Sequence, residues 1–171
     1  MTEQAAFVVC PGCGAQVSAE GPPVEREYLG AADGCWLRYT ELLAREYSNV
    51  LYASVHELTV DTYMVQHPGE PERRSAQSVA VHLVGLCLWL ERRRRAPELP
   101  YLRKRFVESR PSFPWLTPPP QRGEMTVLDV LEATTPDVHR SLVDRWARGA
   151  WQAWSPHHAR VRACADEVSP R

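Results

Sequence analysis

The sequence predicts an all-α protein, a bundle of about five to seven helices behind an irregular N-terminal zinc-knuckle arm. Three observations carry that reading. Apolar residues recur at three-and-four spacing in several separate stretches, with no sustained strand-type alternation and no internal repeat. Those stretches are punctuated by capping residues and prolines at places where helices start and stop. Residues 1–32 show neither period and instead hold Cys10-Pro11-Gly12-Cys13-Gly14, a tight metal loop. A chain of 171 residues with 44% hydrophobic content can close one core without disulfides. The expected division is therefore an arm over 1–32 and a bundle over 33–171, interrupted by a Pro-rich crossover at about 111–123.

The arm contains a Gly21-Pro22-Pro23 turn. Asp33 reads as the N-cap of a helix to about Tyr47, because Trp36, Tyr39, Leu42, Leu43 and Glu46 share one face. Ser48 and Asn49 reset the chain, and a second helix is expected from about Val50 until Pro68 forbids its continuation. The next helix opens at Ser75 and runs through Leu90, with Val79, His82, Leu83, Leu86 and Leu90 as its inward stripe. It is apolar almost all round, which places it centrally. The Arg92 to Arg95 run suits a solvated helix end, where positive charge favours the dipole, better than a phosphate site.

Five prolines between Pro111 and Gly123 exclude a helix or a central strand there, and Pro114-Trp115-Leu116 is the segment that could pin the crossover to the body. Thr126, Thr135-Pro136 and Ser155-Pro156 each open a further helix. Trp146, Trp151 and Trp154 lie near one stripe and read as core, with a ligand-pocket wall as the second reading.

Twenty basic residues against 21 acidic ones give no positive field of the kind that draws a protein to nucleic acid or anionic membrane. No run of about 18 apolar residues appears and the first residues lack a signal-peptide pattern, so a cytoplasmic protein is expected. In that compartment five cysteines read as metal ligands or buried thiols rather than disulfides. Cys87 and Cys164 fall in helical stretches and suit burial.

Cys10 and Cys13, three positions apart on a Pro-Gly turn, can face one ion together. No second Cys-x-x-Cys exists, so Cys35 and a histidine are the natural completion of a Cys3His set for zinc. A reduced pair that binds nothing is the plain alternative. A thioredoxin-type redox pair is disfavoured without a βαβ setting.

A second constellation is Asp61, Tyr63, Gln66 and His67 near one helix end, His82 in the next helix, and His157-His158 opening the last. An unpaired buried imidazole costs roughly 1–3 kcal/mol, so His82 in an apolar stripe needs a hydrogen bond or a metal. Asp61 makes a similar demand. Histidines and a carboxylate from different helices are a recognised way to hold a second, catalytic divalent ion. In that reading His82, His67 and His158 or His157 are ligands, Asp61 an orienting carboxylate or general base, and Tyr63 a proton donor. His56 and His139 rank below them. The plain alternative is that each histidine satisfies a core hydrogen bond or caps a helix. No phosphate loop, Gly-x-Ser-x-Gly elbow or His-Glu-x-x-His helix occurs.

The string Leu58-Thr59-Val60-Asp61-Thr62-Tyr63-Met64-Val65-Gln66-His67-Pro68-Gly69, then Gln77-Ser78-Val79-Ala80-Val81-His82-Leu83, resembles a bacterial family catalogued as a domain of unknown function, number 5946. The likeness extends to the knuckle, Gly34-Cys35-Trp36 and Trp151-Gln152-Ala153-Trp154-Ser155-Pro156-His157-His158. It implies that the knuckle, Cys35 and the Asp61/Gln66/His67/His82 set belong to one recurring design. Where that family tends to carry a histidine after the Gly-Pro turn, this chain has Val24, which makes His67 the first choice for the fourth zinc ligand. A looser, fold-level likeness is to DinB-like bundles, whose histidine triad holds a divalent metal; it implies a thiol-dependent transferase or a metal-using hydrolase.

Two readings of function stand: a metal-dependent enzyme of hydrolase or transferase type, and a non-catalytic interaction or regulatory protein with one structural zinc. A DNA-binding regulator is the weakest, given the balanced charge. The expected partner is a small molecule or a protein, and the expected state a monomer or homodimer.

Overall fold

The computed structural model describes residues 6–20, 23, 28–110 and 112–169. Gly21, Pro22 and Val24, on which the expected turn and the missing arm histidine fall, lie outside the described residues. Two short strands, β1 (Phe7–Val9) and β2 (Gln16–Ser18), pair antiparallel with Val8 opposite Val17 and flank the knuckle. Eight α-helices follow among the described residues: α1 (Asp33–Ser48), α2 (Val50–Ala53), α3 (His56–Gln66), α4 (Arg73–Leu90), α5 (Glu98–Glu108), α6 (Val127–Leu131), α7 (Pro136–Ala153) and α8 (His158–Val168). A 3-10 turn, Ser155–His157, leads into α8. The protein is mainly helical, as expected, and the hairpin is an addition that three-residue strands are too short to announce by alternation.

Several boundaries differ from the sequence reading, each for a local reason. Asp33 lies inside the first turn of α1, with extended Ala32 in the cap position, so its carboxylate meets the positive helix end from within. The helix expected from Val50 to Pro68 is broken at Ser54 and Val55. α2 buries nothing, whereas α3 buries Leu58, Thr59 and every residue from Asp61 to Gln66, and the break turns the chain from the surface into the core. α4 starts two residues before Ser75, because Glu72 is the cap and accepts from the Ser75 amide at 2.9 Å.

α5 was not anticipated. Its stripe of Leu99, Leu102 and Phe106 is short and set among charges, and Pro100 falls in the first turn, where its missing N–H costs nothing. These two changes, the broken helix and α5, account for a count above five to seven.

α3 and α4 pack against each other at the centre, with α7 across α3, α5 and α8 against α4, and α6 against α1. Leu58, Tyr63, Leu83, Leu86, Trp146 and Trp154 are essentially inaccessible. The three C-terminal tryptophans are core, and each donates its indole N–H: Trp146 to Gln66, Trp151 to Glu91 and Trp154 to the Val65 carbonyl. In the crossover Leu116 is buried and acts as its apolar pin. The arginine run is engaged within the protein: Arg92 pairs with Asp166, Arg94 with Glu98, and Arg95 lies 4.0 Å over the Trp89 ring. No helix among the described residues is long and apolar enough to cross a membrane.

Candidate metal centre

The knuckle turn is closed by backbone bonds from Cys10 N to Ala15 O (2.8 Å) and from Gly14 N to Cys10 O (2.9 Å), with Gly14 in the left-handed region at φ 79°. Cys35 comes from the first turn of α1 and His67 from the residue just past α3. Arm and turn are tied by a bridge between Leu29 and Pro68 and by amide bonds from Gly30 to His67 O and from Gly69 to Tyr28 O, both 3.1 Å. Gly12 lets the knuckle come this close: a β-carbon there would sit 2.3 Å from His67 Cδ2.

The four donor atoms of Cys10, Cys13, Cys35 and His67 all lie within 4.8 Å of one another. Cys13 Sγ to Cys35 Sγ is 3.8 Å, and Cys35 Sγ to His67 Nε2 is 3.4 Å. A tetrahedron with ordinary zinc–sulfur and zinc–nitrogen bonds has edges of about 3.8 Å between sulfurs and about 3.5 Å between sulfur and nitrogen. The donors therefore stand where one metal ion would need them.

Surrounding bonds aim them. His67 Nδ1 donates to the Tyr63 carbonyl at 2.7 Å, which leaves the Nε2 lone pair facing the sulfurs. The Tyr63 hydroxyl donates to Cys35 Sγ at 3.6 Å, and the Ala32 amide to Cys10 Sγ at 3.4 Å. Arg122, from the crossover, donates to the knuckle carbonyls of Pro11 and Gly12 at 3.1 and 2.5 Å.

The protonation balance points the same way. Bonds from Cys13 and then Cys35 pull the Cys10 thiol far below its ordinary value. The bond to Cys10 in turn pushes Cys13 up to about 12, and Cys35 is raised for the same reason. Three thiols this close ionise together only when a cation supplies the opposing charge.

Gln66, next to His67, is fully buried and spans the bundle. Its Oε1 accepts from Trp146, and its Nε2 donates to the carbonyls of Arg122 and Met125 at 2.8 and 2.9 Å. It thus fixes the crossover that brings Arg122 to the knuckle.

The other expected residues lie elsewhere. Tyr63 has its hydroxyl committed to Cys35, and its ring is stacked between Tyr39 and His67 at 3.8 and 3.9 Å. Burial, then the neighbouring Cys35, raises its ionisation well above the ordinary range, so it supports the cage rather than standing free as a proton donor. His82 is outside the cluster. Its Nδ1 bonds Asp61 Oδ1 at 2.7 Å, and Asp61 precedes His67 by six residues, about 9 Å along α3. His158 stacks on Trp151 at 3.8 Å with Nε2 on the Trp151 carbonyl, and His157 Nε2 faces Thr117 O. These histidines do not converge on a second ion, and Cys10/Cys13/Cys35/His67 is the one such group among the described residues.

Sequence reasoning missed a second buried carboxylate. Glu46 accepts from Thr59 Oγ1 (2.6 Å), His56 Nδ1 (2.8 Å) and His139 Nε2 (2.9 Å). Its place on the inward face of α1 was the only signal. Arg122 had none.

A model of a family of unknown function, DUF5946, matches residues 8–155. The chain belongs to that family. The DUF5946 match takes in all four cage residues and stops short of His158. No curated protein and no solved structure matches the chain. The likeness to DinB-like bundles is not shown by any comparison, and the histidine triad it implied does not assemble here.

Proposed function

We propose that the protein holds one zinc ion in the Cys10/Cys13/Cys35/His67 centre and that this ion is structural. The observation that carries the reading is the spacing of four protein donors at the edges of a zinc tetrahedron. A thiolate-rich set with one imaginary open corner would suggest catalysis; here all four corners are protein atoms, which is the pattern of a structural site. Three thiolates and an imidazole also favour zinc over magnesium, calcium or manganese. The ion clamps the hairpin, the start of α1 and the end of α3 into one unit, and Arg122 offsets part of the excess negative charge. Such a centre suits a reducing compartment, and the balanced charge favours a small-molecule or protein partner over nucleic acid.

Elemental analysis of the purified chain should give one zinc per protein, lost in Cys10→Ser and in His67→Ala and retained in His82→Ala and His158→Ala. Chelation should lower the thermal midpoint of the wild type and leave that of Cys10→Ser unchanged. Two equivalents, or zinc retained without Cys10 and Cys35, would overturn the reading.

A further inference from the structure

One buried carboxylate of α3 lies outside the proposed zinc site. Asp61 is fully buried, and its Oδ1 accepts from His82 Nδ1 at 2.7 Å and from Arg103 Nη1 at 2.6 Å, while Oδ2 has no partner. Room for it exists because residue 85 is glycine: a β-carbon there would lie 2.1 Å from Oδ2. Burial raises the carboxyl to about 6 against the pull of His82.

What the arrangement does is orient His82. With Nδ1 bonded to the carboxylate, Nε2 is the remaining nitrogen, and it has no hydrogen-bond partner among the described residues. The His82 side chain is 15% exposed and forms part of the wall of a cleft of about 380 Å³ between α3, α4 and α5. Ser78 lies on the same wall, four residues earlier on α4 and so on the same helix face. The Ser78 hydroxyl, like His82 Nε2, has no hydrogen-bond partner among the described residues.

We propose that Ser78, His82 and Asp61 form a hydrolytic site for esters of small carboxylic acids, opening on this cleft. The order of roles is that of a nucleophile, a base and a group that orients the base. Ser78 Oγ attacks the ester carbonyl carbon while its proton passes to His82 Nε2. The carbon–oxygen bond to the alcohol breaks, and the departing oxygen takes that proton. Water then attacks the acyl-serine, gives a proton to Nε2, and the acid leaves as Ser78 recovers its hydrogen. Met64, Val81 and Val107 offer an apolar wall for a short acyl chain, and Arg74 and Gln77 are the cleft's donors toward the carbonyl oxygen. The cleft volume is in the range that takes a small ligand. Arg103 is a positioning residue, bonding the same Asp61 oxygen as His82 and itself paired with Glu57.

The test uses the zinc-loaded full chain, with p-nitrophenyl butyrate as substrate and a fluorophosphonate as covalent probe. The wild type should hydrolyse the ester with saturation and carry one adduct, mapped to Ser78. Ser78→Ala should lose both while keeping its helical circular dichroism and zinc content. His82→Ala should lower kcat about 100-fold or more. Lys104→Ala, on the exposed side of α5, should match the wild type. No hydrolysis above that of Ser78→Ala, or an adduct at another residue, would overturn the proposal. So would turnover that survives Ser78→Ala. None of these results depends on whether the bound metal is zinc.

Discussion

Glu46 and Asp61 are both fully buried carboxylates bonded to histidine, 15 residues apart in the chain, yet they are built to opposite ends. Glu46 is closed on every side. His139 meets Oε1 from α7, Thr59 meets it from α3, and His56 meets Oε2, with the Tyr47 hydroxyl capping His56 in turn at 3.0 Å. Burial works to raise the Glu46 carboxyl, but the bonds from His139, His56 and Thr59 outweigh it and hold it below the usual range. Asp61 has one oxygen crowded by two donors and the other without any, and its histidine looks out on a cleft. The difference teaches that a buried acid–histidine pair is not a functional signature by itself. What separates the two is where the far nitrogen of the histidine points.

The largest effect should come from breaking the closed cluster. Glu46→Ala removes from α1 the shared acceptor of three side chains from two other helices, α3 and α7, and leaves His139 buried without it. Loss of one partner from a buried charged network costs about 3–5 kcal/mol. Urea unfolding of the zinc-loaded protein should show that loss with the wild-type slope. A cost under about 1 kcal/mol would mean that the cluster does not hold α1, α3 and α7 together.

Crowding the open cluster should cost less. In Gly85→Ala the new methyl meets Asp61 Oδ2 and must displace it, and over-packing of that kind costs about 1–3 kcal/mol. The same displacement should disturb His82, so the imidazole signals of His82 should shift by NMR while those of His139 stay in place. If both histidines moved alike, the two clusters would be one cooperative unit rather than two.

The contrast explains which parts of the molecule could be seen in the sequence. The knuckle was visible because its two sulfurs are three residues apart, and His67 was reachable because it ends a helix beside Pro68. Thr126 and Thr135 announced their helices by local bonds to the next few amides. Glu46 and His139 are 93 positions apart, and nothing local joins them. Asp61 and His82 were picked out as residues with unmet polar needs, His82 as a metal ligand and Asp61 as an orienting carboxylate or general base. That they meet each other, with Gly85 and Arg103 around them, is visible only in the fold. Arg122, which braces the cage and had no sequence signal, acts through backbone carbonyls, which any knuckle sequence would present.

The smallest effect is a difference in sign with pH. Asp61 has its folded value raised to about 6 from 3.8, so it binds its proton more tightly in the folded state. Its contribution is fully present below about pH 4 and is lost as pH rises through about 6. Glu46 is depressed from 4.5, so its contribution is present above that value and is lost as pH falls through the folded one. The groups facing Asp61 are His82, Arg103 and, through Arg103, Glu57; those facing Glu46 are His56 and His139. Urea midpoints from pH 3 to 7 should therefore diverge for two variants measured against wild type. Asp61→Asn should gain on the wild type between pH 4 and 6, and the deficit of Glu46→Gln should shrink below pH 4.5. Acid loss from the metal centre is common to all three proteins and cancels in the differences. Parallel curves would show that the two carboxylates feel the same environment, and the distinction between a closed cluster and an open one would fail.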